Sequence, residues 1–180
     1  LIIQSIKDIN LKNIKKYNKF IIIYRNKGKI ENIDKVKEFR KKCKSKFIKF
    51  FVANNKDLAV RVKADGLYIS SFNKSFGALH LKKRNFSLIG SAHNNKEIAH
   101  KKSQGCSYIL LSKIYLVDYD NSKSFLGTVK FNQISNLSKK IVALGGIKLN
   151  NLNSLKNVRC EGFAILSEVK KKPAIISRLF

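Results

Sequence analysis

The sequence predicts a (β/α)8 barrel, the α/β fold class in which eight parallel strands alternate with helices around one core. Two observations carry this prediction. Short apolar runs of strand length recur along the chain and are continuous, as in strands covered on both faces. Between them lie segments with apolar residues at helical spacing. Strands that alternate with helices through short connections imply a parallel sheet, either open and doubly wound or closed into a barrel, and eight such units favour the barrel.

Seven strands are predicted from the apolar runs, and an eighth is assigned to the N-terminus. The seven cover residues 20–24, 47–52, 66–69, 86–89, 108–111, 141–144 and 162–166. The eighth covers residues 1–3 and is followed by a predicted helix over residues 6–17. A chain of 180 residues without any Met is small for a barrel, which usually has about 250. We therefore expect an N-terminally truncated barrel that lacks part of its first strand.

Three helices are predicted from trios of apolar residues, which are Ile33, Val36 and Phe39, then Phe131, Ile134 and Leu137, then Leu149, Leu152 and Leu155. A fourth is predicted from Asn94 and Glu97, an N-cap and its reciprocating acid, directly after the strand at residues 86–89. No linker rich in Pro, Gly or Ser divides the chain. We expect a single domain over residues 1–180.

The composition is that of a globular protein, with 44% hydrophobic and 27% charged residues. No apolar run approaches the roughly 20 residues that span a bilayer, and the N-terminus lacks the pattern of a signal peptide. Cys43, Cys106 and Cys160 are odd in number and form no CxxC pair, which favours reduced thiols over a zinc or redox site. We expect a cytoplasmic protein with no membrane partner.

A net charge of +27 would by itself suggest a protein that binds nucleic acid or an anionic membrane. However, lysines are spread from Lys7 to Lys172 without a dedicated tail, and Lys, Asn and Ile are abundant together, as an A/T-rich coding sequence would produce. The sequence has no RNP-like aromatic strand, helix-turn-helix pattern or zinc-ligand pattern. We expect no specific nucleic-acid partner.

Anion binding is predicted after the seventh and eighth strands, where (β/α)8 barrels commonly hold phosphate. Gly145 and Gly146 end the seventh strand, and the absence of side chains lets backbone N–H groups approach an anion. Leu166 and Ser167 end the eighth strand, where Ser167 can cap a short helix whose N-terminus attracts phosphate. The predicted ligand is a small phosphate ester.

Four motifs occur in order, ADGLYI at residues 64–69, IGSAH at 89–93, VALGGI at 142–147 and EGFAILS at 161–167. Together they resemble motifs of the thiamine phosphate synthase and thiazole tautomerase (TenI) family. Residues 64–69 are similar to the family's ADGVHLG stretch and residues 89–93 to its IGxSxH strand end. Residues 142–147 resemble its VAIGGI, and residues 161–167 its closing (D)GxAxxS. Order and spacing agree from about residue 20 to residue 169. The resemblance implies a barrel enzyme of thiamine biosynthesis.

The family's synthases join a pyrimidine pyrophosphate to a thiazole phosphate, with a Q-x-R-x-K strand for the pyrophosphate and two Asp residues for Mg²⁺. By the resemblance, Arg25 and Lys27 retain the two cations of that strand, while Ile23 stands at the Gln position. Asn54 and Asn73 stand where the family has its metal-binding Asp residues. Neutral amides hold Mg²⁺ poorly, so the resemblance implies substrate contacts at Arg25, Lys27 and Asn54 but no metal site.

The family's thiazole tautomerases need no metal and move a proton to aromatise a thiazole carboxylate phosphate. His93 stands where the resemblance places the acid–base residue, and an imidazole can take and return a proton near neutral pH. A strand-end histidine that only bonds to the following helix is the simpler alternative. His80 and His100 are predicted to be structural or exposed to solvent.

The long polar segment over residues 112–127 matches the position of a family loop that covers the substrate, which makes Lys123 a candidate phosphate contact. Arg25 is the stronger candidate because it directly follows a strand and guanidinium binds phosphate in a bidentate manner.

The preferred hypothesis is a metal-free thiazole tautomerase without a cofactor. One alternative is a divergent Mg²⁺-dependent thiamine phosphate synthase. Another is a barrel that binds a phosphate ligand without catalysis. The sequence leaves the oligomeric state open.

Overall fold

A computed structural model gives the fold of the chain. It describes residues 1–14, 20–26, 28, 31–82, 86–117, 124–136, 138 and 140–166. Eight strands form one sheet in the order in which they occur in the chain, and the strand pairs described by residue register are all parallel. Helical segments lie between the strands. The predicted TIM-barrel-like α/β fold class is confirmed.

The eight predicted strands are all present. They are β1 (Ile2–Ile3), β2 (Ile21–Tyr24), β3 (Lys49–Ala53), β4 (Gly66–Ile69), β5 (Ser87–Ala92), β6 (Tyr108–Ser112), β7 (Ile141–Leu144) and β8 (Phe163–Ala164). The third strand was predicted to begin at Phe47, but Phe47 has a φ of 56° and its N–H donates to the Lys44 carbonyl. That residue belongs to the end of the preceding helix, so the strand begins later.

Five α-helices are described, which are α1 (Ile33–Ser45), α2 (Lys56–Arg61), α3 (Leu79–Lys82), α4 (Asn95–Ser103) and α5 (Gly127–Asn136). Three 3-10 segments cover Ile6–Asp8, Leu11–Asn13 and Leu149–Asn157. The three leucines of the last segment recur every three residues, the period of a 3-10 helix. Within the described part of the chain, the helices are too short and too polar to cross a bilayer.

The helix predicted over residues 6–17 is wrong in the part that the structure describes. Ile9 and Asn10 are extended and separate two short 3-10 segments. The Asp8 carboxylate accepts the N–H groups of Gln4 and Ser5 at 2.7 and 3.0 Å, and the Asn10 side chain accepts the N–H of Lys12 at 3.0 Å. Such local bonds from Ser, Asp and Asn compete with a continuous helix.

The chain divides into two compact units, one containing Leu1–Tyr68 with Leu166 and the other containing Ile69–Ile165. The expectation of a single domain over residues 1–180 stays a prediction. In the first unit, the rings of Tyr24, Phe39 and Phe50 pack against one another with centroids 5.8 to 6.2 Å apart. In the second unit, Ile98 of α4 and Phe131 of α5 are buried.

An ion pair with a buried arginine ties α1 to β3 and to the residue that precedes β4. Arg40 Nη2 lies 2.7 Å from Asp65 Oδ1, and Arg40 Nε donates to the Lys63 carbonyl at 3.1 Å. The second carboxylate oxygen of Asp65 accepts the N–H of Phe50 at 2.7 Å. The Arg40 side chain is only 10% exposed, so this carboxylate supplies the counter-charge that a buried guanidinium needs.

The three cysteines are free thiols. Burial raises the pKa of Cys43 to about 12 and that of Cys106 to about 11, so both stay protonated near neutral pH.

We expect Asp65→Ala to lower the free energy of unfolding by about 2–3 kcal/mol, because it leaves the buried Arg40 guanidinium and the Phe50 N–H without their acceptor. Urea denaturation followed by circular dichroism measures this loss. Glu38→Ala is the matched control, since it removes the exposed pair with Lys42 and should cost much less. Equal losses of unfolding free energy in the two variants would contradict a stabilising role of the Arg40–Asp65 pair.

Candidate functional site

His93 is an exposed residue that directly follows β5, and both of its ring nitrogens contact polar atoms of the second unit. Its Nδ1 lies 3.1 Å from the Ser112 carbonyl oxygen, at the end of β6, and 3.1 Å from Ser112 Oγ. Its Nε2 lies 3.2 Å from Ser71 Oγ, in the segment after β4. The imidazole therefore lies among residues that follow or end three strands.

These contacts favour one tautomer of neutral His93. A carbonyl oxygen can only accept a hydrogen bond, so the Ser112 carbonyl favours the proton on Nδ1, whereas the Ser112 hydroxyl can donate or accept. Nε2 then carries the lone pair, and the Ser71 hydroxyl donates to it. The result is a ring with one nitrogen held by the backbone and the other able to accept a proton.

The start of α4 fixes the backbone of His93. Asn94 is the N-cap, and its Oδ1 accepts the N–H of Glu97 at 2.9 Å, while the Glu97 carboxylate accepts the N–H of His93 at 2.8 Å. The N-cap predicted from Asn94 and Glu97 is confirmed. The same two side chains that begin the helix therefore hold the candidate acid–base residue in place.

Sequence reasoning missed Ser71 and Ser112 as partners of His93. Their only sequence signal is that both are hydroxyl residues at or just after the C-terminal ends of predicted strands, the edge that carries function in this fold. His80 is exposed on α3. His100 lies on α4, and its Nε2 is 3.2 Å from the Lys74 carbonyl oxygen.

Gly145 and Gly146 form the turn that follows β7, with φ values of +96° and +68°. A Cβ atom at Gly146 would overlap the backbone of Tyr115 and Leu116. The Gly145 carbonyl accepts the N–H of Tyr115 at 3.1 Å, and the Gly146 carbonyl accepts Asn151 Nδ2 at 2.7 Å. Both glycines are required by conformation, and Gly146 is also required by the close approach of the segment after β6.

Of the remaining predicted site residues, three lie in the part of the chain that the structure describes and three lie outside it. In the first unit, Arg25 follows β2 and its N–H donates to the Ile3 carbonyl at 2.8 Å. Asn54 follows β3 with a φ of 56°, and its N–H donates to the Tyr68 carbonyl. Leu166 lies just after β8. The predictions for Lys27, Lys123 and Ser167 lie outside the described residues.

Amides stand at the two positions where the family resemblance places Mg²⁺ ligands. Asn54 and Asn73 supply neutral amides, and Asn73 Oδ1 already accepts the N–H of Ser75 at 3.0 Å. Within the described ranges, no group of three or more His, Cys, Asp or Glu residues could hold a metal ion. The amides of Asn54 and Asn73 are poorer ligands for this hard cation than the carboxylates of the family.

The fold is a (β/α)8 barrel, and His93 with its two serine neighbours lies where strands end. The sequence model of the family described as "Thiamine monophosphate synthase" matches residues 10–169. The chain belongs to this family, which functions in thiamine biosynthesis.

Curated relatives carry the name thiamine-phosphate synthase. The protein from one strain of Prochlorococcus marinus is 29% identical over 83% of this chain and 44% of its own length. That from Prochlorococcus marinus subsp. pastoris is 31% identical over 72% of this chain and 38% of its own length, and that from Methanococcus vannielii is 26% identical over 67% and 59%. The chain thus spans less than two thirds of the length of these relatives.

A solved structure shares the fold. The thiamine phosphate pyrophosphorylase from Pyrococcus furiosus superposes with a TM-score of 0.75 at 19% identity, covering 99% of this chain and 92% of that one. This likeness supports the barrel assignment.

We expect Gly146→Ala to destabilise the protein by about 2–4 kcal/mol, because Ala must adopt a positive φ and its methyl group would overlap the backbone of Tyr115 and Leu116. Thermal unfolding checks this. Gly162→Ala is the control, since a methyl group there meets no atom within 4 Å. A Gly146→Ala protein as stable as the control would contradict the packing described here.

Proposed function

We propose that the chain is an enzyme of thiamine biosynthesis that isomerises a thiazole carboxylate phosphate by metal-free proton transfer, as the family's thiazole tautomerases do. The hydrogen bonding of His93 is the observation that carries this proposal. Substrate and product of such a reaction are isomers, so the proton that the enzyme removes is balanced by the proton that it returns. The reaction needs no oxidant, reductant or metal.

In this reaction His93 Nε2 removes a proton from the dihydrothiazole, and the imidazolium returns a proton to a second position of the substrate. The Ser112 carbonyl stays bonded to Nδ1–H throughout, and it stabilises the positive charge that the ring gains. Ser71 donates to Nε2 in the resting protein and must release it before proton transfer. His93 is exposed, so a small ligand can reach Nε2.

The phosphate of the substrate is proposed to bind the backbone N–H groups at Gly145 and Gly146. Positive φ at both residues and the engagement of both carbonyl groups hold this turn in one conformation. By the family resemblance, Arg25, Lys27, Asn54, Lys123, Leu166 and Ser167 are the other proposed substrate contacts.

The second candidate is a thiamine phosphate synthase that joins a pyrimidine pyrophosphate to a thiazole phosphate. The names of the curated relatives favour it. The amides at Asn54 and Asn73 argue against it, because that reaction depends on Mg²⁺ in the family. A barrel that binds a phosphate ester without turnover is the third candidate.

An NMR time course with the thiazole carboxylate phosphate tautomer tests the proposal. We expect the purified protein to aromatise this substrate in the presence of a metal chelator, and we expect His93→Ala to lower the rate by at least about 100-fold because general acid–base catalysis contributes that much. The control is His80→Ala, which changes an exposed histidine of α3 and should keep the wild-type rate.

A second mixture separates the alternatives. Product that forms only when Mg²⁺ and the pyrimidine pyrophosphate are added would contradict the tautomerase proposal and support the synthase. Saturable binding of the substrate without product in either mixture would support a non-catalytic barrel.

A further inference from the structure

Lys101 is a fully buried lysine on α4 that the proposed reaction does not use. Its exposed fraction is 0%, whereas lysine is almost never fully buried unless it has partners. Its Nζ donates to the Asn73 carbonyl at 2.7 Å and to Gln104 Oε1 at 2.8 Å. The side chain thus ends at the segment after β4, the segment that also contains Ser71.

Gln104 completes a network around the same segment. Its exposed fraction is 1%, and its Nε2 donates to the Asn73 carbonyl at 3.1 Å and to the Ser75 carbonyl at 2.7 Å. The ring of His100 stacks edge-on against Phe76 with centroids 5.2 Å apart. Residues of α4 and its C-cap Gln104 therefore hold the backbone of residues 73–76.

The stem of Lys101 also packs on the strand that leads to His93. A Cβ atom at Gly90, in the middle of β5, would lie 2.8 Å from Lys101 Cδ and 2.9 Å from Cγ. The missing side chain at Gly90 leaves the space through which the lysine stem passes over the strand. One residue therefore contacts both the strand before His93 and the segment that contains Ser71.

We propose that Lys101 and Gln104 are positioning residues that hold Ser71 within hydrogen-bonding distance of His93 Nε2. The proposal rests on the proposed function of His93. Asn73 is two residues beyond Ser71, and its own N–H donates to the Ser70 carbonyl at 3.0 Å, which forms a tight turn around Ser71. Loss of the bonds to the Asn73 carbonyl frees this turn, and Ser71 moves with it.

The burial of Lys101 supports this role. Desolvation lowers the pKa of its ammonium group, which means that burial disfavours the charged form. A buried methionine of similar length would avoid this penalty. The presence of an ammonium group is explained by its hydrogen bonds to the Asn73 carbonyl and to Gln104 Oε1.

The test is a comparison of the His93 imidazole ¹⁵N resonances in the ligand-free protein and in variants. Ser71→Ala serves as the reference, since it removes the hydroxyl that donates to Nε2 and shifts that resonance. We expect Lys101→Met to shift the Nε2 resonance toward its position in Ser71→Ala, and we expect the control Lys102→Met, an exposed neighbour on α4, to leave it at the wild-type position. A Lys101→Met resonance that coincides with the wild type would overturn the proposal.

Turnover gives a second readout. We expect Lys101→Met to lower kcat roughly 10- to 100-fold with KM for the thiazole phosphate nearly unchanged, because misplacement of an acid–base group slows the chemistry rather than binding. If Lys101→Met does not fold, the Nε2 resonance of His93 is measured in Gln104→Leu instead. This variant removes both hydrogen bonds from Gln104 Nε2, and we expect the same shift toward the Ser71→Ala position. The resonance is measured without substrate, so failure of the tautomerase proposal and failure of the positioning proposal are distinguishable.

Discussion

The hydrogen bond between His93 Nδ1 and the Ser112 carbonyl is the constraint on which the account of the site depends. It joins the ends of two neighbouring parallel strands, β5 and β6, whose register is fixed from Ile89 to Ala92. Because the acceptor is a backbone carbonyl, it cannot rotate away or change its protonation state, and it favours the proton on Nδ1. The strand ladder thus places the imidazole against this carbonyl and favours the tautomer that the proposed reaction needs.

Several acidic residues in the described part of the chain hold the backbone in place. The chain has 11 acidic residues against 38 basic ones, and several of the described acids bind backbone N–H groups. Asp8 accepts from Gln4 and Ser5, Asp65 from Phe50 and Glu97 from His93. The metal-free proton transfer proposed for His93 does not require carboxylates at Asn54 and Asn73, so the basic composition and the proposed chemistry are compatible.

The sequence predicted the strands well because their apolar runs are continuous and most are bounded by glycine or charged residues. Both ends of β4 and of β7 agree with the prediction. The start of α4 was also predictable, since an N-cap is a local signal carried by Asn94 and Glu97. The N-terminal helix was predicted wrongly, because side-chain bonds of Asp8 and Asn10 to nearby backbone groups do not disturb apolar periodicity.

The partners of His93 could not be predicted in the same way. Ser71 and Ser112 are separated from it by 22 and 19 residues, and only the folded sheet brings them together. Lys101 is a similar case, because a single lysine among many gives no sign in the sequence that it is buried. Gly90 lies against the Lys101 side chain only because α4 packs on β5. Strand positions can therefore be predicted from the sequence, whereas the hydrogen bonds around His93 depend on tertiary structure.

The most direct measurement of the central claim is a long-range ¹H–¹⁵N correlation spectrum of the His93 ring in the ligand-free protein, at a pH where the ring is neutral. We expect a proton on Nδ1 and an unprotonated Nε2. A proton on Nε2 would mean that His93 donates to Ser71 and cannot act as the base, which would contradict the proposed role of His93.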